Sequence, residues 1–100
     1  MEYKLLIEPL AKFDIQNEIN YYNFKQKGLG KKFHTEVKTY LKAIKLNPFY
    51  QIRYDDIHCL PLKTFPIMIH YSVDEANKVI IIRALINTSR DPETNWLKNK

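Results

Sequence analysis

The eight residues Val79-Ile-Ile-Ile-Arg-Ala-Leu-Ile86 hold seven apolar side chains around one arginine. A run this apolar and β-branched does not alternate between a wet face and a core face. It reads as a strand covered on both sides, at the centre of a sheet. Just upstream, Ile67, Ile69, Tyr71 and Val73 alternate with Met68, His70 and Ser72, the period-2 pattern of a half-buried strand. Asp74 to Lys78 is the polar turn between them. The stretch from Phe65 to Trp96 is therefore an antiparallel hairpin with a polar exit, and the chain before it must pack on that hairpin.

What precedes it supplies two helices. Tyr3 to Glu8 reads as an opening strand, ended by Pro9, which suits the first position of a helix. Ala11, Ile15, Ile19 and Tyr22 then recur at steps of four, four and three, one face of a helix ending near Lys27. Lys12, Asp14 and Glu18 fall off that face and are expected in solvent. Gly28-Leu29-Gly30 offers two residues that tolerate left-handed geometry. A second stripe, Phe33, Val37, Leu41 and Ile44, runs to Asn47-Pro48, where the proline ends it. Lys31, Lys32, Lys38, Lys42 and Lys45 lie mostly on its other faces, and His34 sits beside the stripe as a structural residue. Ile52 to Tyr54 reads as a short strand or an arm, and Ile57 to Leu62 as a strand with Pro61 at an end, an edge or a bulge. Asp91-Pro92-Glu93 starts a short terminal helical turn that Trp96 would pin to the sheet.

The order is strand, helix, helix, then three strands. It defines an α+β domain with an αα-hairpin packed on a mainly antiparallel sheet, one domain over residues 1–100. The 100 residues, 45% of them hydrophobic, suffice for one core. No apolar run approaches the ~18 residues of a membrane span. The amino end lacks the pattern of a secretory signal, and one cysteine forms no internal disulfide. The expectation is a cytoplasmic protein with no membrane association. Its net charge of +5 is compatible with nucleic acid, with an acidic protein partner or with nothing specific.

Chemistry-bearing candidates concentrate on the hairpin. Arg83 shares its parity with Ile81, Leu85 and Asn87, so its charge must reach solvent, pair with an acid such as Glu75, or await a ligand. His70 points away from Ile69 and Tyr71 and is expected exposed or partly covered. His58 has no settled face. Met68, beside Leu85 or Ile81, would leave an apolar patch on the open face. Arg90 either serves a ligand or pairs with Asp91 or Glu93. Cys59 reads as a small strand filler, with no histidine–acid pair to activate it. No histidine pair has metal-binding spacing, so neither a metal nor a cofactor is expected.

Ala11, Asp14-Ile15 and Tyr21-Tyr22, then Gly28-Leu29-Gly30 leading to Phe33, are followed by Arg53, Leu60 and Phe65-Pro66. Ile69-X-Tyr71-X-Val73 and Ile80 to Ile86 come next, closing on Arg90-Asp91-Pro92 and Trp96. In this order and spacing, over nearly the whole chain, the sequence resembles the RelE/ParE superfamily of toxins from type II toxin–antitoxin systems. The resemblance implies a growth-arresting toxin of the kind that serves plasmid stabilisation, with no cofactor. It also implies a cognate antitoxin, acidic here by charge, that folds as it wraps the toxin.

Two targets divide the superfamily. RelE-like members cut messenger RNA on the ribosome, and ParE-like members block DNA gyrase. The first chemistry needs a proton acceptor for the 2′-hydroxyl, a cation on the phosphate and an acid for the leaving oxygen. His58, His70, Arg83 and Arg90 are the residues that could supply such a set. RelE-like enzymes resemble one another in a basic cluster across the middle strands and a tyrosine near the carboxyl end. Here Pro66 stands where an arginine is often found, and the tail after Arg90 holds no tyrosine. Phe65-Pro66 and Arg90-Asp91-Pro92 look more like ParE. The gyrase reading is therefore favoured, with the ribonuclease and a non-toxic protein-binding module of the same fold as alternatives. Met68, His70, Arg83, Leu85, Arg90 and Trp96 are the candidate contacts for target or antitoxin, with a second copy of the chain as another cover for the patch.

Overall fold

The computed structural model describes residues 3–49, 52–54 and 56–88. Seven elements follow in order: β1 (Lys4–Ile7), α1 (Pro9–Lys25), α2 (Leu29–Leu46), β2 (Ile52–Tyr54), β3 (Ile57–Pro61), β4 (Ile67–Asp74) and β5 (Val79–Asn87). The sheet order is β1-β5-β4-β3-β2. β1 runs parallel to β5 and the other neighbours are antiparallel, so the sheet is mixed. The α+β architecture expected from the sequence is present, and the 52–54 stretch forms a short edge strand rather than an arm. The terminal helical start at residues 91–93 lies outside the described residues.

The apolar run of β5 lies between β1 and β4, as its composition requires. Its parity is not continuous. Tyr71 faces Ile82 and His70 faces Ala84, so Arg83 is the extra residue of a β-bulge. Before the bulge Ile80 and Ile82 point to the core; after it Leu85 and Asn87 do. The parity expected for Arg83, shared with Leu85 and Asn87, is therefore broken: a bulge adds one residue and exchanges the faces beyond it.

Both helices cover the inner face. Ala11 and Tyr22 of α1 and Phe33, Val37 and Ile44 of α2 are buried against Ile67, Ile69, Tyr71, Ile80, Ile82 and Leu85. Tyr22, Phe33 and Phe65 form a ring cluster with centroids 4.8–5.6 Å apart. The buried Tyr71 hydroxyl donates to the Pro48 carbonyl at 2.9 Å, tying the end of α2 to the middle strand. Pro61 ends β3, the place its missing N–H dictates.

The helical hairpin corrects two expectations. Only Gly28 adopts the left-handed region, at φ 86°, and α2 starts directly after it. Gly30 is helical, and its role is close approach: its N–H donates to Asn23 Oδ1 at 2.9 Å where α2 meets α1. The acids of α1 are not solvated either. Glu18 is buried and Asp14 half-buried, because α1 sits over the end of β5 as well as over the core. β1 stops at Ile7 opposite Ile82, so β5 runs on without that neighbour. Asp14 Oδ2 accepts the Leu85 N–H there, at 3.1 Å.

Burial raises the Asp14 pKa above the ordinary 3.8, against the lowering effect of the Leu85 hydrogen bond. A raised folded-state pKa gives stability that is present at low pH and lost as pH rises through it. Asp14→Asn keeps an acceptor for Leu85 without the charge. Relative to wild type it is expected to gain stability between about pH 4 and about pH 7, by less than about 1 kcal/mol because solvent screens a half-buried group. Urea denaturation of both proteins at several pH values checks this; a difference independent of pH would contradict it.

Candidate functional site

The face of the sheet turned away from the helices carries the chemistry-bearing residues. Cross-strand pairing puts Met68 with Ile86, His70 with Ala84 and Cys59, and Ser72 with Ile81 on this outer face. Arg83 joins them from the bulge. Its Nε donates to Ser72 Oγ at 3.1 Å and its Nη1 to Glu8 Oε2 at 2.8 Å. Glu8 is the residue just before α1, and its carboxylate makes no cap to that helix. The partner of Arg83 is thus Glu8, brought in by the parallel β1–β5 pairing, and not Glu75 in the turn.

The pair is half-open to solvent, with side-chain exposures of 42% for Arg83 and 40% for Glu8. An exposed ion pair of this kind contributes little. Arg83→Ala is expected to lower stability by at most about 1 kcal/mol in urea denaturation. A loss above about 2 kcal/mol would instead make the pair a structural fastening. With the smaller loss, any functional defect of Arg83→Ala reports on the site rather than on folding.

The other candidates separate. His70 is on the outer face but only 2% exposed, correcting the expectation of an exposed or partly covered histidine. β4 is the third of five strands, so the ring sits in mid-sheet, between Ala84 and Cys59. His58 has a definite face, the inner one: it is buried beside Tyr71, with rings stacked at 5.1 Å and 14°. The two histidines therefore stand on opposite faces and cannot serve one site. Leu85 is a core residue, 4% exposed, because the bulge turned it inward, so it is no surface contact. Met68 lies opposite Ile86 rather than Leu85 or Ile81, and these two half-buried side chains make the outer apolar patch. Arg90 and Trp96 lie outside the described residues. His34 is exposed, and the five helix lysines are all in solvent. Among the described residues no cluster of His, Cys, Asp and Glu could hold a metal ion.

Two features of the surface had no forecast. One is the use of Glu8 and Ser72 to hold Arg83. The other is a groove between α2 and the residues joining β3 to β4, described below. Glu8 could be found only by knowing that β1 lies parallel to β5 with Ile7 opposite Ile82, which places Glu8 level with the bulge.

A helical hairpin on one face of a mixed five-stranded sheet is a fold that this chain shares with solved chains of ParDE and RelBE toxin–antitoxin systems. A chain of the chromosomal ParDE TA system from P. aeruginosa superposes with a TM-score of 0.74 at 16% identity, covering 85% of this chain and 95% of that one. A chain of the intact E. coli RelBE toxin–antitoxin complex gives 0.68 at 16% identity, covering 88% and 99%. A mutant E. coli toxin RelE in the free state gives 0.67 at 14% identity, covering 99% and 98%. No protein-family model and no curated protein matches the sequence.

Proposed function

We propose that this chain is the toxin of a type II toxin–antitoxin pair, neutralised by an acidic cognate antitoxin, and that it acts as a ParE-like inhibitor of DNA gyrase. The observation that carries the first half is the fold, shared nearly end to end with chains of ParDE and RelBE systems. The branch rests on the outer face. General acid–base cleavage needs groups within hydrogen-bond reach of the scissile phosphate. Here His70 is enclosed, His58 is on the other face, and Arg83 is neutralised by Glu8. A protein-inhibiting toxin makes no such demand. Fold alone does not fix the target, so support for a branch is sought at the site.

The ribonuclease reading has one observation in its favour: the likeness to E. coli RelE spans 99% of this chain. Opening of the Arg83–Glu8 pair would then present a guanidinium to a phosphate. A supercoiling assay with purified gyrase separates the two. Inhibition near equimolar toxin is expected, and full supercoiling at a large molar excess would sink the gyrase reading. Transcript cleavage inside codons, lost on Arg83→Ala, would establish the ribonuclease in its place.

A further inference from the structure

On the helix side, away from Arg83, a groove of about 1130 Å³ opens between α2 and the segment from Lys63 to Pro66. Its far wall is built. Thr64 N–H donates to Glu36 Oε2 at 2.9 Å, and Thr88 N–H donates to the Pro66 carbonyl at 2.9 Å. Leu62 N–H donates to the Ile67 carbonyl at 2.8 Å, closing the base of the segment. Leu29, Tyr40 and Pro66 form an accessible apolar floor, with Phe65 and Tyr22 nearly enclosed beneath it. Lys31, Lys32 and Lys63 stand around it, all exposed. The one lining acid, Glu36, already accepts from Thr64.

Size and charge choose the occupant. Small-molecule sites are enclosed clefts of roughly 300–1,000 Å³, whereas this groove is larger and open along its length. It fits a stretch of polymer. Cations on both sides of an apolar floor match a peptide that presents apolar anchors between acidic residues. A single-stranded nucleic acid would want a continuous basic track and several open aromatic faces. Here one half-exposed ring, Tyr40, is on offer, and the lysines frame the floor rather than follow it.

We infer that this groove docks an acidic, amphipathic segment of the partner protein, with its apolar side chains on Leu29, Tyr40 and Pro66 and its carboxylates against Lys31, Lys32 and Lys63. The inference rests on the antitoxin reading and gives that partner a place. It leaves the outer face free to be tested separately as the site of target contact.

The test compares two charge reversals on one scaffold. One variant carries Lys31→Glu, Lys32→Glu and Lys63→Glu; the other carries Lys38→Glu, Lys42→Glu and Lys45→Glu, equally exposed on α2 but not lining the groove. The probe is the product of the gene adjacent to that of this chain, titrated calorimetrically into each variant. The groove variant is expected to bind at least about tenfold more weakly and the control variant within about threefold of wild type. Hydrogen exchange of the wild-type complex should show protection over 29–40 and 63–66. Equal weakening in both variants, or binding without that protection, overturns the inference while leaving the antitoxin reading intact. No complex with wild-type protein overturns both. Binding of a single-stranded RNA oligomer that the groove variant alone abolishes would make the groove a nucleic-acid site and overturn the peptide proposal.

Discussion

Phe33→Ala is expected to cost about 3–5 kcal/mol of folding stability, the range for removing a fully buried aromatic ring. Phe33 is 0% exposed and lies where both helices meet the sheet. Its ring is 5.4 Å from Phe65, edge to face, and 5.6 Å from Tyr22. Neither neighbour can collapse freely into the vacated space, since Phe65 opens the held segment before β4 and Tyr22 is fixed in α1. A domain of this size has roughly 5–15 kcal/mol in all, so the loss is a large fraction of the total. Urea denaturation measures it, and thermal denaturation is expected to show a fall in melting temperature of roughly 12–40 °C at 4–8 °C per kcal/mol. Phe24→Ala is the internal contrast. Phe24 is 90% exposed on α1, and a change within about 0.5 kcal/mol is expected there. Similar losses at both positions would contradict the described packing.

Gly30→Ala is the second large effect, and its sign runs against helix propensity. Alanine in a helix interior is favoured over glycine by about 1 kcal/mol. At this position a Cβ would be driven into the Ile19 carbonyl oxygen and would lie 2.7 Å from Asn23 Cγ and Nδ2. A side chain could swing aside, but a backbone carbonyl of α1 cannot move without the helix. The two helices must separate, and the Asn23–Gly30 hydrogen bond is lost with the contact. Overpacking of this kind costs about 1–3 kcal/mol. Denaturation of Gly30→Ala beside wild type tests it: a stabilised variant would show that the helices do not meet as closely as described. At Gly28 the constraint is different. No atom lies within 4 Å of a Cβ there, and only the positive φ resists substitution.

The fold was largely legible because its signals are local. The stripes from Ala11 to Tyr22 and from Phe33 to Ile44 each state a helix and its buried face, and the run from Val79 to Ile86 states a central strand. What escaped was long-range. No local pattern says that β1 pairs parallel with β5, and the partner of Arg83 follows from that pairing alone. The bulge was equally hidden: a single extra residue turns Leu85 inward and leaves Ile86 beside Met68, and a near-continuous apolar run carries no local mark of it. Asp14 and Glu18 were misplaced because a helix face was read from apolar residues only. A carboxylate can belong to the buried face when a strand N–H beyond the end of its neighbour needs an acceptor. His70 was placed on the correct face with the wrong exposure, since parity gives direction while burial depends on what flanks the strand.

These corrections bear on function. Of the residues assembled from the sequence as a ribonuclease set, the three that are described do not converge: His58 belongs to the core side, His70 is enclosed, and Arg83 is held by Glu8 and Ser72. Among the described residues, two of the accessible surfaces differ in character: a half-open arginine with a small apolar patch on one face and a lysine-framed groove on the other. A protein that must meet both a target and an acidic inhibitor has use for two such surfaces.

The most direct test of toxin function is controlled expression of the intact chain in a bacterial host, with growth and soluble protein followed together. Arrest of growth on induction is expected, relieved when the product of the adjacent gene is made in the same cells. Full growth at a high level of soluble, folded protein, without that partner, would contradict it.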